Sequence, residues 1–290
     1  MSETVQLPEQ FKARMEKELG PEYGAFIASY EDTRLYGLRC NLLKSDLEAF
    51  CEKMPFLLSK IDFAEAGFYY NDEERPGKHV YHEAGAYYIQ EPSAMSAVTE
   101  LDLSEGDIVL DLCAAPGGKS IAAALEGAKV LSCDVNALRL ARCSENYQRL
   151  KLNIPTRQLD ATEYCPDFHE AFDAVIADVP CSGSGVIRRH PEIRKRSLQE
   201  VEELLSLQSR ILDNLAEYVR PGGTLLYSTC SVLQDENEKQ LAAFLERKQV
   251  FRLTSTKLDG FDCENGMLRS WPHRNGNDGF FAARLVKKND

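Results

Sequence analysis

The chain has 290 residues, enough for about two domains, and its 43% hydrophobic and 28% charged residues are typical of a globular protein. No apolar run approaches the roughly 20 residues of a membrane span, and the first ten residues, MSETVQLPEQ, contain no apolar signal region, which together predict a cytoplasmic protein. Nine cysteines without any Cys-x-x-Cys spacing argue against a metal site and against a disulfide framework. The net charge of −12 disfavours a nucleic-acid partner for the surface as a whole. Because salt screens charges beyond about 8 Å, however, local basic patches matter more than the total.

The first ninety residues mix short helices and strands. Apolar spacing predicts a helix over residues 8–30 that Gly20-Pro21 divides in two. The remaining predicted elements are a strand from Leu35 to Leu43, a helix from Ser45 to Met54 capped by Ser45, and strands from Phe63 to Tyr70 and from His79 to Ile89. We interpret residues 1–90 as a small α+β domain.

From residue 91 onward, strands and helices alternate. A short helix from Ala94 to Leu101 comes first. Strands are predicted over residues 107–111, 129–134, 156–160, 172–179, 224–229, 250–254 and 279–286, and helices over 121–125, 136–150, 197–219 and 235–248. Alternating βα units predict a parallel sheet with right-handed crossovers, so residues 91–290 form an α/β domain.

The stretch from Asp107 to Ser120, DIVLDLCAAPGGKS, organises this domain. A short apolar strand breaks into a glycine-rich turn, and a helix follows. Such a turn brings the backbone close to a ligand, and the helix N-terminus offers free N–H groups. The stretch has neither G-x-G-x-x-G nor a Walker lysine pattern, which disfavours dinucleotides and triphosphates.

Four acids stand at or near the predicted ends of strands, namely Asp111, Asp134, Asp160 and Asp178. Ligands of open α/β sheets bind beyond these ends, so we expect a shared cleft. Asp134 follows Asp111 at about the 20-residue interval typical of a carboxylate that binds ribose hydroxyls. A nucleoside with a modest tail, such as S-adenosylmethionine, fits this pattern.

Two cysteines stand where strands give way to loops beside that cleft. The fourth strand leads to Pro180-Cys181 and the fifth to Thr229-Cys230. If the strands are neighbours, both thiols lie at one edge of the sheet. Six other cysteines are interpreted as small apolar residues, namely Cys40, Cys51, Cys133, Cys143, Cys165 and Cys263.

Together, these motifs resemble the Sun-type RNA (cytosine-5) methyltransferases, particularly the bacterial members that act on ribosomal RNA. The resemblance covers residues 30–286 and rests on five segments. They are Tyr88 to Ser93, Asp111 to Ser120, Asp178 to Gly183, Ser228 to Ser231 and Asp278 to Phe281. It implies a class I methyltransferase fold with a Rossmann-like sheet, a small N-terminal RNA-recognition-like α+β domain, S-adenosylmethionine as cofactor and RNA as substrate.

The resemblance also implies residue roles. Cys230 would attack carbon 6 of cytosine, Cys181 would assist product release, and Asp178 would contact ring nitrogen 3 or the amino group. The cofactor-binding residues would be Cys113, Ala114, Ala115, Pro116, Gly117, Gly118, Lys119, Asp134 for the ribose, Arg139, Asp160 for the adenine edge, and Asp178. DNA cytosine methyltransferases use the Pro-Cys position instead, so the two cysteine roles stay interchangeable at the level of sequence.

A basic stretch, VIRRHPEIRKR, follows Cys181 directly. We interpret its cations as phosphate contacts that position RNA. They are Arg188, Arg189, Arg194, Lys195 and Arg196.

Several alternatives stay open. The substrate is ribosomal RNA by preference, with transfer RNA or DNA as alternatives, and a non-catalytic RNA-binding assembly factor is the rival of another class. We expect a monomer. The sequence ends directly after the last predicted strand and lacks the C-terminal RNA-binding domain of longer relatives.

Overall fold

The computed structural model describes residues 7–195, 198–256, 258 and 261–289. Two helices open the described chain, α1 (Glu9–Leu19) and α2 (Tyr23–Ala28). A turn of 3₁₀ helix, Gly20–Glu22, separates them, as Gly20-Pro21 predicted. Phe26 of α2 is fully buried, and its ring packs edge-on against Trp271 with ring centroids 5.9 Å apart. The first two helices therefore pack on a distant part of the chain.

A four-stranded antiparallel sheet follows. Its elements in chain order are β1 (Tyr36–Cys40), α3 (Leu47–Lys53), β2 (Ser59–Lys60), β3 (Gly67–Tyr70), α4 (Val80–Glu83) and β4 (Tyr87–Ile89). The strand order in the sheet is β2-β3-β1-β4. Leu38 and Tyr87 are fully buried in its core.

Two local predictions in this part were wrong. The segment from His79 to Ile89 is not one strand, because the His79 side chain caps α4 by accepting from the Tyr81 amide at 3.1 Å. The cap of α3 is Asp46 rather than Ser45, since Asp46 Oδ1 accepts from the Ala49 amide at 2.8 Å. Both helix starts depend on which polar side chain reaches an unsatisfied N–H group.

The second sheet contains nine strands, and the predicted α/β class is confirmed. Its elements and the helices around it are α5 (Pro92–Thr99), β5 (Ile108–Asp111), α6 (Gly118–Leu125), β6 (Lys129–Asp134), α7 (Ala137–Leu150), β7 (Thr156–Gln158), β8 (Phe172–Asp178), α8 (Leu198–Tyr218), β9 (Val219–Thr229), α9 (Glu238–Arg247), β10 (Phe251–Leu253), β11 (Asp262–Glu264), β12 (Met267–Ser270), α10 (Pro272–Asn275) and β13 (Phe280–Lys287). The hairpin β11–β12 and helix α10 were not predicted.

Five parallel strands form the centre of this sheet in the order β7-β6-β5-β8-β9. The chain runs outward from β5 to β7 and then returns to the other side of β5 with β8. Ligands of open α/β sheets bind beyond the strand ends at such a reversal. Next to β9, β13 runs antiparallel, with Phe281 opposite Thr229.

Apolar side chains cover both faces of the central strands, as expected of parallel strands. Val109 and Leu110 of β5 are fully buried, and they belong to separate core clusters on the two faces. One cluster includes Leu212 of α8, and the other includes Ile121 of α6. None of the helices built from described residues is long and apolar enough to cross a membrane.

Candidate active site

The glycine-rich turn connects β5 to α6 and exposes backbone at the helix start. Gly117 adopts φ 105°, and a Cβ there would lie 2.8 Å from the ring of Tyr147. The Ala115-Pro116 peptide bond is cis. Among the described residues no side chain caps α6, and Gly118 and Lys119 of its first turn line the cleft.

Asp134 ends β6 and lies beside this turn. Its side chain is almost fully buried, with Oδ1 accepting from the Asn136 amide at 2.9 Å and Oδ2 from the Ala115 amide at 3.3 Å. Arg139 Nη2 lies 3.5 Å from Asp134 Oδ2 and donates to Ala115 O at 3.0 Å. Asp134 and Arg139 thus both bond to Ala115 of the turn.

Asp160 and Asp111 differ in their relation to the cleft. Asp160 lines it, and two hydrogen bonds from Thr162 lower the pKa of the Asp160 carboxyl. Asp111 lies outside the lining and accepts from Ser120 Oγ at 2.7 Å. Burial raises the pKa of Asp111 to about 7, which indicates a structural carboxyl beneath the turn.

Asp178 ends β8 and forms an ion pair that the sequence did not predict. Lys119, in the first turn of α6, places its Nζ 2.6 Å from Asp178 Oδ2. Ser228 Oγ donates to Asp178 Oδ1 at 2.9 Å, because Asp178 and Ser228 are register partners on neighbouring strands. The side chain of Asp178 is one-third exposed toward the cleft, so the carboxylate is oriented yet accessible.

The two cysteines predicted to share an edge are in contact. Cys181 Sγ lies 3.1 Å from Cys230 Sγ, because β8 and β9 are parallel neighbours. The hydrogen bond with Cys230, together with burial, raises the pKa of the Cys181 thiol well above its ordinary value.

Two of the five cations in the basic stretch are paired within the protein and are not free surface charges. Arg188 is buried and paired with Asp278 at 3.2 Å. Arg189 also pairs with Asp278, donates to Leu35 O at 2.9 Å and lines the cleft. Side-chain positions for Arg194 and Lys195 lie outside the described residues, as does Arg196.

One cleft of about 720 Å³ unites these groups. It is lined by every predicted catalytic and cofactor-binding residue except Gly117, whose role is to shape the turn. Gln90, Glu91 and Phe280 also line it, and the sequence analysis assigned them no role. Gln90 and Glu91 belong to the Tyr88 to Ser93 segment and Phe280 to the Asp278 to Phe281 segment, so the family resemblance already included all three.

Comparison with known proteins explains this arrangement. Residues 98–286 match the family model described as 16S rRNA methyltransferase RsmB/F. The chain belongs to the RsmB/F family. The N-terminal domain of 16S rRNA methyltransferase RsmF matches residues 7–92 of this family member. The resemblance inferred from the sequence motifs is therefore confirmed.

Relatives of this RsmB/F family member include curated and solved proteins. Ribosomal RNA small subunit methyltransferase B from Erwinia tasmaniensis is 42% identical over 212 residues, which are 71% of this chain and 48% of the relative. The chain thus spans about half the length of the curated relatives it matches.

Two solved structures share the fold over 98% of the chain. PH0851 is 31% identical with a TM-score of 0.87, and 67% of its chain is covered. A methyltransferase homolog protein from Pyrococcus horikoshii is 26% identical with a TM-score of 0.83, and 96% of its chain is covered.

Proposed function

We propose that the protein is an S-adenosylmethionine-dependent RNA cytosine-5 methyltransferase that acts on ribosomal RNA in the cytoplasm. The observation that carries the proposal is the contact between Cys181 Sγ and Cys230 Sγ at 3.1 Å, within the cleft that also holds the glycine-rich turn. The names of the relatives favour ribosomal RNA over transfer RNA. We also propose that residues 1–90 and 91–290 act as an RNA-binding and a catalytic domain.

The residues around the turn fit the proposed cofactor. Asp134 supplies a carboxylate for ribose hydroxyls, and the neighbouring Val135 is more than half exposed and lines the cleft as an apolar surface for the base. The first residues of α6, Gly118 and Lys119, also line the cleft. When bound, S-adenosylmethionine supplies an electrophilic methyl group.

Cys230 activates the substrate in the proposed mechanism. Carbon 5 of cytosine is too electron-poor to attack an electrophilic methyl group. Addition of the Cys230 thiolate to carbon 6 makes carbon 5 nucleophilic. The resemblance to the family assigns the role of nucleophile to Cys230, and Cys181 lies in contact with it at 3.1 Å. Asp178, held by Lys119 and Ser228, is placed to contact ring nitrogen 3 or the amino group and to stabilise the adduct.

Cys181 completes the cycle. Release of the product requires that carbon 5 lose its proton and that the bond between carbon 6 and Cys230 Sγ break. With the two sulfurs 3.1 Å apart, Cys181 donates its proton to the departing Cys230 sulfur and takes up the proton from carbon 5. Both thiols are thereby restored, and the double bond between carbons 5 and 6 forms again.

Covalent capture tests this assignment. Wild-type protein, Cys181→Ala and Cys230→Ala are incubated with labelled S-adenosylmethionine and with 16S ribosomal RNA, transfer RNA or DNA, and then run on a denaturing gel. We expect a stable protein–RNA adduct with Cys181→Ala, because the release step is blocked, and none with Cys230→Ala. Wild-type protein should label 16S ribosomal RNA.

Other patterns would overturn the proposal in distinct ways. An adduct in Cys230→Ala but not in Cys181→Ala would exchange the two cysteine roles, and labelling of DNA or transfer RNA alone would change the substrate. RNA binding without any methyl transfer would indicate a non-catalytic assembly factor.

A further inference from the structure

A buried carboxylate lies directly behind the cysteine pair. Glu236 has no exposed surface. Its Oε1 accepts from the Ser182 amide at 2.7 Å and from Gln208 Nε2 at 2.9 Å. Its Oε2 accepts from the hydroxyls of Ser182 and Ser231. Burying a carboxylate is costly unless hydrogen bonds compensate, and here four donors do so.

Three of the four donors to Glu236 belong to the two loops that carry the thiols. Ser182 follows Cys181 in the chain, and Ser231 follows Cys230, so one carboxylate joins both loops. The two serine hydroxyls also lie 3.2 Å from each other. A shift of either loop would therefore break bonds to the same group.

Gln208 of α8 extends this arrangement to the other side of Cys181. Its Nε2 donates to Pro180 O at 2.9 Å as well as to Glu236. The backbone is consequently held immediately before and immediately after Cys181. Gln240 of α9 donates to Gln208 Oε1 at 3.3 Å and orients the amide.

We propose that Glu236 is a positioning residue whose carboxylate clamps the Cys181 and Cys230 loops together and thereby sets the contact between their sulfurs. The inference rests on the proposed function for its kinetic consequence, but the geometry of the thiols tests it separately. The charge of Glu236 also contributes to the raised pKa of Cys181, after the larger effects of the Cys230 hydrogen bond and of burial.

Three substitutions of Glu236 separate the clamp from its charge. Glu236→Ala removes the three hydrogen bonds that this carboxylate accepts from the two loops. Glu236→Gln retains an acceptor for the Ser182 amide, and its NH₂ group can donate to the two hydroxyls, which rotate to accept. Glu236→Asp keeps the charge but shortens the reach. Glu238→Gln is the control, because Glu238 pairs with Arg269 and, among the described residues, its side chain forms no hydrogen bond with Ser182 or Ser231.

The first readout uses no RNA. Diamide oxidises two thiols to a disulfide and is itself reduced to the hydrazine, and peptide mapping measures how fast Cys181 and Cys230 become linked. Sulfurs in contact need little movement to reach the bonded distance of about 2.0 Å. We expect rapid linkage in wild type, Glu236→Gln and Glu238→Gln, and linkage slowed by about tenfold in Glu236→Ala, because displaced sulfurs must first find each other.

The second readout is methyl transfer. We expect kcat to fall by about 10- to 100-fold in Glu236→Ala, since a displacement of about 1 Å in a reacting group has that effect, while the KM values for RNA and cofactor stay unchanged. Glu236→Gln should restore most of kcat. If Glu236→Ala fails to fold by circular dichroism, Glu236→Asp takes its place with the same expected direction.

The outcomes are distinguishable. Linkage and kcat at wild-type levels in folded Glu236→Ala would overturn the clamp. A loss of kcat in Glu236→Gln as large as in Glu236→Ala would also overturn it, because the charge and not the geometry would then matter. A wild type that links its thiols but transfers no methyl group would overturn the proposed function and leave the clamp supported by the linkage rates.

Discussion

At the scale of single residues, Asp111 is a carboxylate that the fold buries beneath the glycine-rich turn. Its Oδ2 accepts from Ser120, and its Oδ1 meets no donor among the described residues. Burial raises the pKa of Asp111 to about 7, whereas an aspartate in an unfolded chain titrates near about 3.9. The folded protein thus keeps a proton that the unfolded chain has already lost between these two pH values.

The sign of the resulting pH dependence follows. The stabilising contribution of protonated Asp111 is complete below about pH 4 and is lost as the pH rises to about 7. Asp111→Asn does not titrate, so the free energy of unfolding of the variant should lack this decline. Urea unfolding across this range measures the difference. Exposed Asp72→Asn is the control and should follow wild type, and a parallel curve for Asp111→Asn would contradict the prediction.

Sequence reasoning predicted a shared cleft from residue type and position, and the four residues concerned line one cleft. Cys181 and Cys230 stand at strand ends, and Asp134 and Asp178 end β6 and β8. The ion pair between Lys119 and Asp178 and the clamp by Glu236 escaped it. Both depend on the direction in which a side chain leaves its loop, which the order of residues does not encode locally.

At the scale of elements, the turn between β5 and α6 depends on Gly117. Gly117→Ala should lower the free energy of unfolding by about 1–2 kcal/mol for its positive φ alone, and further because the new Cβ would lie 2.8 Å from Tyr147. Gly106→Ala is the matched control, since Gly106 also has positive φ (89°) but open space around it. Denaturant unfolding compares the two, and equal losses would show that the contact with Tyr147 is unimportant.

The repeating βα elements were predictable because each strand is apolar and each helix amphipathic. In the first ninety residues the elements are short, and capping by His79 and Asp46 decided their starts. The hairpin β11–β12 was missed because it contains only seven strand residues in two short runs.

At the scale of the whole molecule, Phe26 joins the N-terminal helices to the region around Trp271, the only tryptophan of the sequence. Phe26→Ala should lower the free energy of unfolding by about 3–5 kcal/mol, as for other buried phenylalanines. Because the cluster connects distant parts of the chain, tryptophan fluorescence and far-ultraviolet circular dichroism should shift together.

The control for Phe26→Ala is Leu57→Ala, whose side chain is largely exposed and should change the midpoint little. A fluorescence transition that moves while circular dichroism stays in place would show that the aromatic cluster unfolds separately. Sequence alone did not predict this packing, since residues 8–30 read only as amphipathic helices, and their partner lies more than two hundred positions later.

The position of β13 has a consequence for the order in which the fold can form during translation. Thr229, the residue before Cys230, pairs with Phe281, and the amide of Gly279 donates to Gly185 O at 2.9 Å in the loop after Cys181. Among the strands described, β13 is the last to be translated, because it follows all the others in the chain. It nevertheless pairs beside the two cysteine loops, which are translated much earlier. Until it docks, β9 lacks its antiparallel neighbour, so only residues translated earlier, such as Glu236, can hold the two cysteine loops.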